Sequence, residues 1–368
     1  MSSDVFYRAA RTMTKASQIS IPMNNAFAEI LKIYMTEEQA EFVSSFKPKK
    51  SYTFNELKSI MELDDDSLTK KLESCMKIAV INSSTDKNTG VTNYQVTPML
   101  PGLLEFMFMR DEVGEKERKI ADLKIGKFFN GMIRYTQKNY DKIVPLMEKN
   151  QPTLLRTVPV EEEIEPLQEV MLPFQEVSKI INNTDCIGVG NCFCRVAQEL
   201  LNDPCKRTDL KRTCMLFGDM ANFLISQNFI EKITKERAME ILKDCEEAGL
   251  VHKAVHEDND PTKEITAICN CCDCCCGNIS LHHKGANGFS DITAYLAKVN
   301  EEDCVGCGTC VEKCNIHAIE LIDDKSTIDE NKCMGCGICV HHCPASAMQL
   351  IKTELRRVFI PPPRLMNV

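Results

Sequence analysis

Cysteine recurs in this chain with a spacing that occurs twice, and the two copies lie 29 residues apart. Cys304, Cys307, Cys310 and Cys314 read C-x2-C-x2-C-x3-C, and Cys333, Cys336, Cys339 and Cys343 repeat it. The copies share more than ligands: Gly308 maps onto Gly337, Ala318 onto Ala347 and Leu321 onto Leu350. Three thiolates at that spacing wrap a loop around one iron–sulfur cube, and the glycines between them let backbone amides turn toward its sulfides. The fourth thiolate, at the start of the next helix, reaches the other cube. One [4Fe–4S] cluster is therefore expected on Cys304, Cys307, Cys310 and Cys343, and a second on Cys333, Cys336, Cys339 and Cys314.

The remaining composition agrees with metal ligation. Of 368 residues, twenty-one are cysteine, an odd number concentrated in tight clusters, which a disulfide framework does not explain. Net charge is -9 and the pI about 5.5, so a phosphate backbone would repel the chain and nucleic acid is an unfavoured partner. No apolar leader with a cleavage site opens the sequence, and no run of eighteen apolar residues interrupts it, so a cytoplasmic protein without a membrane span is expected.

Upstream lie ten more clustered cysteines. Cys192, Cys194, Cys205 and Cys214 form one group; Cys269, Cys271, Cys272, Cys274, Cys275 and Cys276 form the other. Within the second, Cys269, Cys272 and Cys275 have cube-like spacing, and a remote thiolate such as Cys192 or Cys194 would complete the set. One or two additional [4Fe–4S] clusters are the expectation, with zinc and a thiol–disulfide relay as alternatives. Spacing alone does not assign these ligands. Cys275 and Cys276 before Gly277 resemble, in that pair only, the noncubane-cluster motif of heterodisulfide reductases; the distances to other cysteines do not match. Arg195, directly after Cys194, is read either as a cluster neighbour that raises its potential or as a surface or salt-bridged arginine. Cys75 and Cys245 fall on apolar helix faces and read as core; Cys186 is compatible with either role, the structural one preferred. His282 and His283 read as solvated, and His341 and His342 as neighbours of a cluster.

The expected fold is α+β in four parts. Residues 1–150 read as a winged-helix-like domain followed by helices. Thr53 with Glu56 forms a capping box, Asp64 to Asp66 cap a second helix with Leu68, Leu72, Cys75 and Met76 on one face, and the runs Ile78 to Ile81 and Tyr94 to Val96 flank a turn at Asn88 and Gly90. Residues from about 103 to 150 read as charged amphipathic helices. A boundary is placed in Gln151 to Pro166, which holds Glu161, Glu162 and Glu163. Residues 151–290 read as a mostly helical, cysteine-rich, cluster-binding domain with one helix capped by Thr234 and ended by Gly249. Residues 291–352 hold the two-cluster repeat, and residues 353–368, with Pro361, Pro362 and Pro363, read as an extended tail lying on a partner.

The duplicated unit closely resembles the bacterial-type two-cluster ferredoxins over about sixty residues, differing where Asn315 replaces the proline that Pro344 supplies in the second copy. The resemblance implies a pseudo-twofold β-α-β fold with two low-potential clusters. More broadly, Asp4 to Arg8 (with an extra Tyr7), Cys192 to Arg195, Gly249 to His252 and Cys269 to Cys276 resemble an iron–sulfur protein family of anaerobic bacteria and archaea. That resemblance implies electron transfer beside a larger oxidoreductase.

Three functions remain open on the sequence. One is an electron carrier or electron-transfer subunit. Another is a redox-sensing regulator using the winged helix, disfavoured because Asp65, Asp66 and Glu73 accompany Lys70, Lys71 and Lys77 on the recognition helix. The third is a reductase with its site at a middle cluster, for which no paired carboxylates, nucleophile or nucleotide-binding glycine motif is present.

Overall fold

The computed structural model describes residues 4–17, 25–150, 155–164, 176–256, 260 and 263–366. The chain mixes helix and sheet and resolves into two compact units, each built from discontinuous segments. One comprises residues up to 129 with 188–204 and 217–232; the other comprises 130–187, 205–216 and the residues from 233 onward.

In the first unit, helices Val5–Ala16, Asn25–Tyr34 and Glu37–Ser44 precede the pair Phe54–Met61 and Asp65–Met76. The expected caps are present. Thr53 accepts from the Glu56 amide while the Glu56 carboxylate accepts from the Thr53 amide at 2.8 Å, and Asp64 accepts from the Ser67 amide at 2.9 Å. Leu68, Leu72 and Cys75 are buried, so the helix face read from the sequence is the packed one, and burial pushes the Cys75 thiol up to about 12. Strands Ile81–Thr85 and Thr92–Val96 follow as a hairpin, with Tyr52 paired to Tyr94 on its other edge. The first strand begins at Ile81; residues 78–80 turn into it rather than extend it. Beyond the hairpin the expected helices occur, including Glu115–Asp122, and helices Asn130–Lys138 and Tyr140–Asn150 belong to the second unit.

The middle region is not mostly helical. In the second unit an antiparallel sheet runs Leu155–Val158, Val251–His256, Ile265–Cys271 and Arg212–Phe217, in that order. The reason lies in segment length. Runs such as Thr213 to Phe217 and Val251 to Ala254 are buried throughout and too short for a helix, and a strand covered on both faces shows no period-two alternation. The one helix read with clear caps is there: Thr234 accepts from the Arg237 amide at 3.2 Å, and Gly249, at φ +75°, ends it.

The C-terminal repeat is framed by a long antiparallel pair, Phe289–Val299 with Met348–Ile360. Between these strands lie two short helices, Thr309–Lys313 and Ile338–His341, and the hairpin Ile319–Ile322 with Lys325–Ile328. Residues 353–360 are thus strand, not tail. The proline segment that follows packs on its own chain: the Tyr140 hydroxyl donates to the Pro362 carbonyl at 2.6 Å, the Gln137 amide to Pro363 at 3.0 Å, and Arg364 pairs with Asp141. Within the expected boundary Gln151 to Pro166, the described residues 155–164 hold the strand Leu155–Val158 and a helical turn Glu161–Glu163.

One buried ion pair joins the sheet to this frame. Lys253 and Asp291 are both fully buried, 2.6 Å apart. Asp291 also accepts from the Thr157 amide at 2.9 Å and from the Thr157 hydroxyl, and the Lys253 ammonium lies 4.8 Å from the Phe289 ring centroid.

Candidate metal centres

Each copy of the repeat begins as a loop that only glycine can trace. Gly306 and Gly308 adopt φ +68° and +79°, and Gly335 and Gly337 adopt +65° and +80°. The backbone also passes close by. A Cβ on Gly306 would stand 2.3 Å from the Asp324 carbonyl oxygen, and one on Gly335 2.5 Å from that of Tyr295. Left-handed backbone costs an L-residue roughly 1–2 kcal/mol, and these clashes add to it. Gly306→Ala is therefore expected to lower the iron bound per chain by about four while sparing the second site, measured by iron analysis of anaerobically purified protein.

The first loop brings its cysteines together with one from the other copy. A small cavity of about 20 Å3 is lined by Cys304, Cys307, Cys310 and Cys343, the last from the other copy. Ser326 closes one wall, 3.0 Å from the Cys310 sulfur. Cys304 is held below the usual thiol range by hydrogen bonds from the Ser326 and Gly306 amides, and Cys307 by Thr309. Cys307 is exposed.

The second set is deeper. Cys336 interacts electrostatically with Cys314 and Cys333, and Cys339 with Cys336, Cys314, Cys333 and, from the first set, Cys310. Burial dominates: it pushes the Cys336 thiol up to about 12 and raises Cys339 as well. The Ala318 amide donates to the Cys314 sulfur at 3.2 Å. Both cradles offer four thiolates, backbone donors and, at the first, open space, so the residues present fit [4Fe–4S] clusters.

Cys205, Cys272, Cys274 and Cys275 come together, their sulfurs all within 4.8 Å of one another. This is not the register Cys269, Cys272, Cys275: Cys269 lies within strand Ile265–Cys271 opposite Lys253, and Cys271 is buried opposite Val251. Cys276 is buried in a core cluster with Phe289 and Ile338, and Cys214 is buried in strand Arg212–Phe217. Cys186 and Cys245 are buried core thiols, as expected.

In the first unit, Cys192 caps helix Phe193–Leu200 and hydrogen-bonds with Cys194, which with nearby Arg195 holds its thiol at about 5. Arg195 is buried, so the reading of it as a surface residue fails. Lys124, which no sequence pattern marked, is buried beside this pair. Its ammonium donates to the Leu104 carbonyl at 3.2 Å and lies 4.7 and 4.9 Å from the Phe193 and Phe108 rings. Burial lowers its pKa, and Cys194, Glu105 and Cys192 oppose that; burial raises the Glu105 carboxyl to about 7.

The histidines are not solvated as expected. His282 is buried against Phe289, with Nδ1 3.2 Å from the Asn287 carbonyl, and desolvation lowers it to about 4. His283 stacks on His317 at 4.2 Å and reaches the Asn315 carbonyl at 2.9 Å. His341 stands by Glu163 and Glu247, and the His342 ring meets the Glu246 carbonyl at 3.0 Å. Asn315, fully buried, is the residue the spacing argument missed. Its Oδ1 accepts from the Asp273 amide at 3.0 Å, and its Nδ2 donates to the Gly249 carbonyl at 2.9 Å. A proline there makes neither bond, so the departure from the repeat's pattern has a structural use.

Among the described residues no helix is long and apolar enough to cross a membrane. No curated protein and no solved structure matches the chain. Residues 297–357 match the family model of the 4Fe-4S dicluster domain, so this chain carries an iron–sulfur, ferredoxin-like domain.

Proposed function

We propose that this protein is an iron–sulfur electron carrier, or the electron-transfer subunit of a larger oxidoreductase. The observation that supports it is the cavity that Cys304, Cys307 and Cys310 line together with Cys343 from the other copy. Cys304, Cys307, Cys310 and Cys343 would hold one [4Fe–4S] cluster, and Cys333, Cys336, Cys339 and Cys314 the other. Such clusters supply one-electron carriers whose potentials respond to hydrogen bonds and exposure.

The chain's own residues make the two positions unequal. The first has an exposed ligand, Cys307, beside Val305, which is 70% exposed, so a partner protein approaches there. The second is walled by Ile338, Met334 and Val160, which exclude water. Electrons would therefore exchange with a partner at the first position and pass inward to the second. The helix–helix–hairpin order of residues 54–96 supports a winged-helix-like module. Its second helix begins with Asp65 and Asp66, which suits a protein partner better than DNA. A cytoplasmic carrier with no membrane span follows from the same reading.

The test is stepwise reduction of the anaerobic protein by a low-potential dye, followed by electron paramagnetic resonance. Uptake of about two electrons per chain, with interacting S = 1/2 signals from two neighbouring clusters, is expected. Protein that takes up no electrons with its iron in place would refute the reading. The further cubes expected on the middle cysteines are not part of it.

A further inference from the structure

Four sulfurs in the middle region stand too close together for an iron–sulfur cube. Cys205 lies 3.8 Å from Cys272 and 3.6 Å from Cys274. Cys274 lies 3.5 Å from Cys272 and 3.6 Å from Cys275. A single tetrahedral ion with metal–sulfur bonds of about 2.3 Å sets its ligands about 3.8 Å apart. In a cube the four thiolates bind four different irons and point outward from its corners, so their sulfurs stand farther apart than around one ion. The chain provides its own comparison. Cys304, Cys307, Cys310 and Cys343 surround open space, and among the described residues only the Cys205 group brings three or more such ligand atoms within 4.8 Å. Disulfides are excluded as the cause of the closeness, since a sulfur–sulfur bond is about 2.05 Å long.

We propose that Cys205, Cys272, Cys274 and Cys275 bind one thiophilic divalent ion, Zn2+ or Fe2+, as a tetrathiolate centre distinct from the two cubes. Closed four-cysteine sites of this kind are characteristic of structural zinc. The surroundings fit such a centre. A divalent ion with four thiolates carries two net negative charges, and Arg207, two residues after Cys205, supplies a positive charge beside them. Its guanidinium grips Asp273 with two bonds, Nε to Oδ1 at 3.0 Å and Nη2 to Oδ2 at 2.8 Å. Asp273 sits between Cys272 and Cys274, so this pair fastens the two ligand segments to each other. The Asp273 amide then donates to Asn315, the residue after Cys314. The centre is thereby tied to a ligand loop of the second cube, by the one residue that departs from the repeat's pattern.

The test counts zinc, iron and acid-labile sulfide in the wild-type protein purified without oxygen. The expected result is about one ion per chain beyond the roughly eight iron and eight sulfide of two cubes. Zinc, or iron in excess of sulfide, says which ion it is. Growth with Co2+ should add the visible absorption of a tetrahedral thiolate site, and Cys205→Ser should abolish that absorption and the extra ion while leaving eight iron and eight sulfide. About twelve of each, with Cys205→Ser removing four of each, would mean a third cube and overturn the proposal. So would the absence of any further ion with Cys274 and Cys275 found in a disulfide. Failure of the electron-transfer reading looks different, because losing the two cubes removes iron and sulfide in equal number and leaves the extra ion in place.

Discussion

Asp291→Ala is expected to destabilise the protein by about 3–5 kcal/mol, read as a shift in urea midpoint at constant slope. Lys253 and Asp291 are both fully buried, and the carboxylate also receives the amide and hydroxyl of Thr157. Removing it strands an ammonium with Thr157 and the Phe289 ring as its neighbours, where neither carries the compensating charge. Deleting both charged groups, in Lys253→Met with Asp291→Leu, should cost markedly less than Asp291→Ala alone, because the Lys253 ammonium is no longer stranded; buried Arg156, which also feels Asp291, is common to both variants. A double variant as unstable as the single one would show that packing, not the charge pair, sets the cost.

Single cysteine substitutions should reveal which thiolates share a cube. Cys310→Ala and Cys343→Ala lie in different copies of the repeat but line the same cavity. Each is expected to lower iron from about eight to about four per chain, and the double variant should lose no more than either alone. Combining Cys310→Ala with Cys314→Ala, two residues of one copy, should instead remove nearly all of it, because the interleaved assignment gives Cys314 to the cube of Cys333, Cys336 and Cys339. If the losses followed the copies rather than the cavities, each repeat would hold its own cube and the interleaved assignment would be wrong.

The C-terminal cradles were legible because their ligands are close in sequence and the pattern occurs twice; Gly306 and Gly335 show why the intervening residues matter. The helix caps at Thr53, Asp64 and Thr234 were legible for a similar reason, each being settled within four residues. The middle region was not. Its strands are short runs buried on both sides, which carry no period, and the cysteine-rich stretch 269–276 straddles a strand end, so adjacent thiols go to different surroundings. Cys205 reaches Cys272 across 67 residues, a distance that spacing rules do not span. His282 next to the cysteines read as polar surface, but helix Ile279–His283 turns it inward against Phe289. Asn315 looked like a lost proline, and its two bonds became visible only once Asp273 and Gly249 were placed beside it.

The most direct measurement is acid-labile sulfide and iron per chain in protein kept anaerobic throughout, set against the same measurement on a variant lacking Cys310 and Cys314. Two interleaved cubes require about eight sulfides in the first and nearly none in the second. Iron without sulfide in the wild type, or sulfide that survives both substitutions, would contradict it.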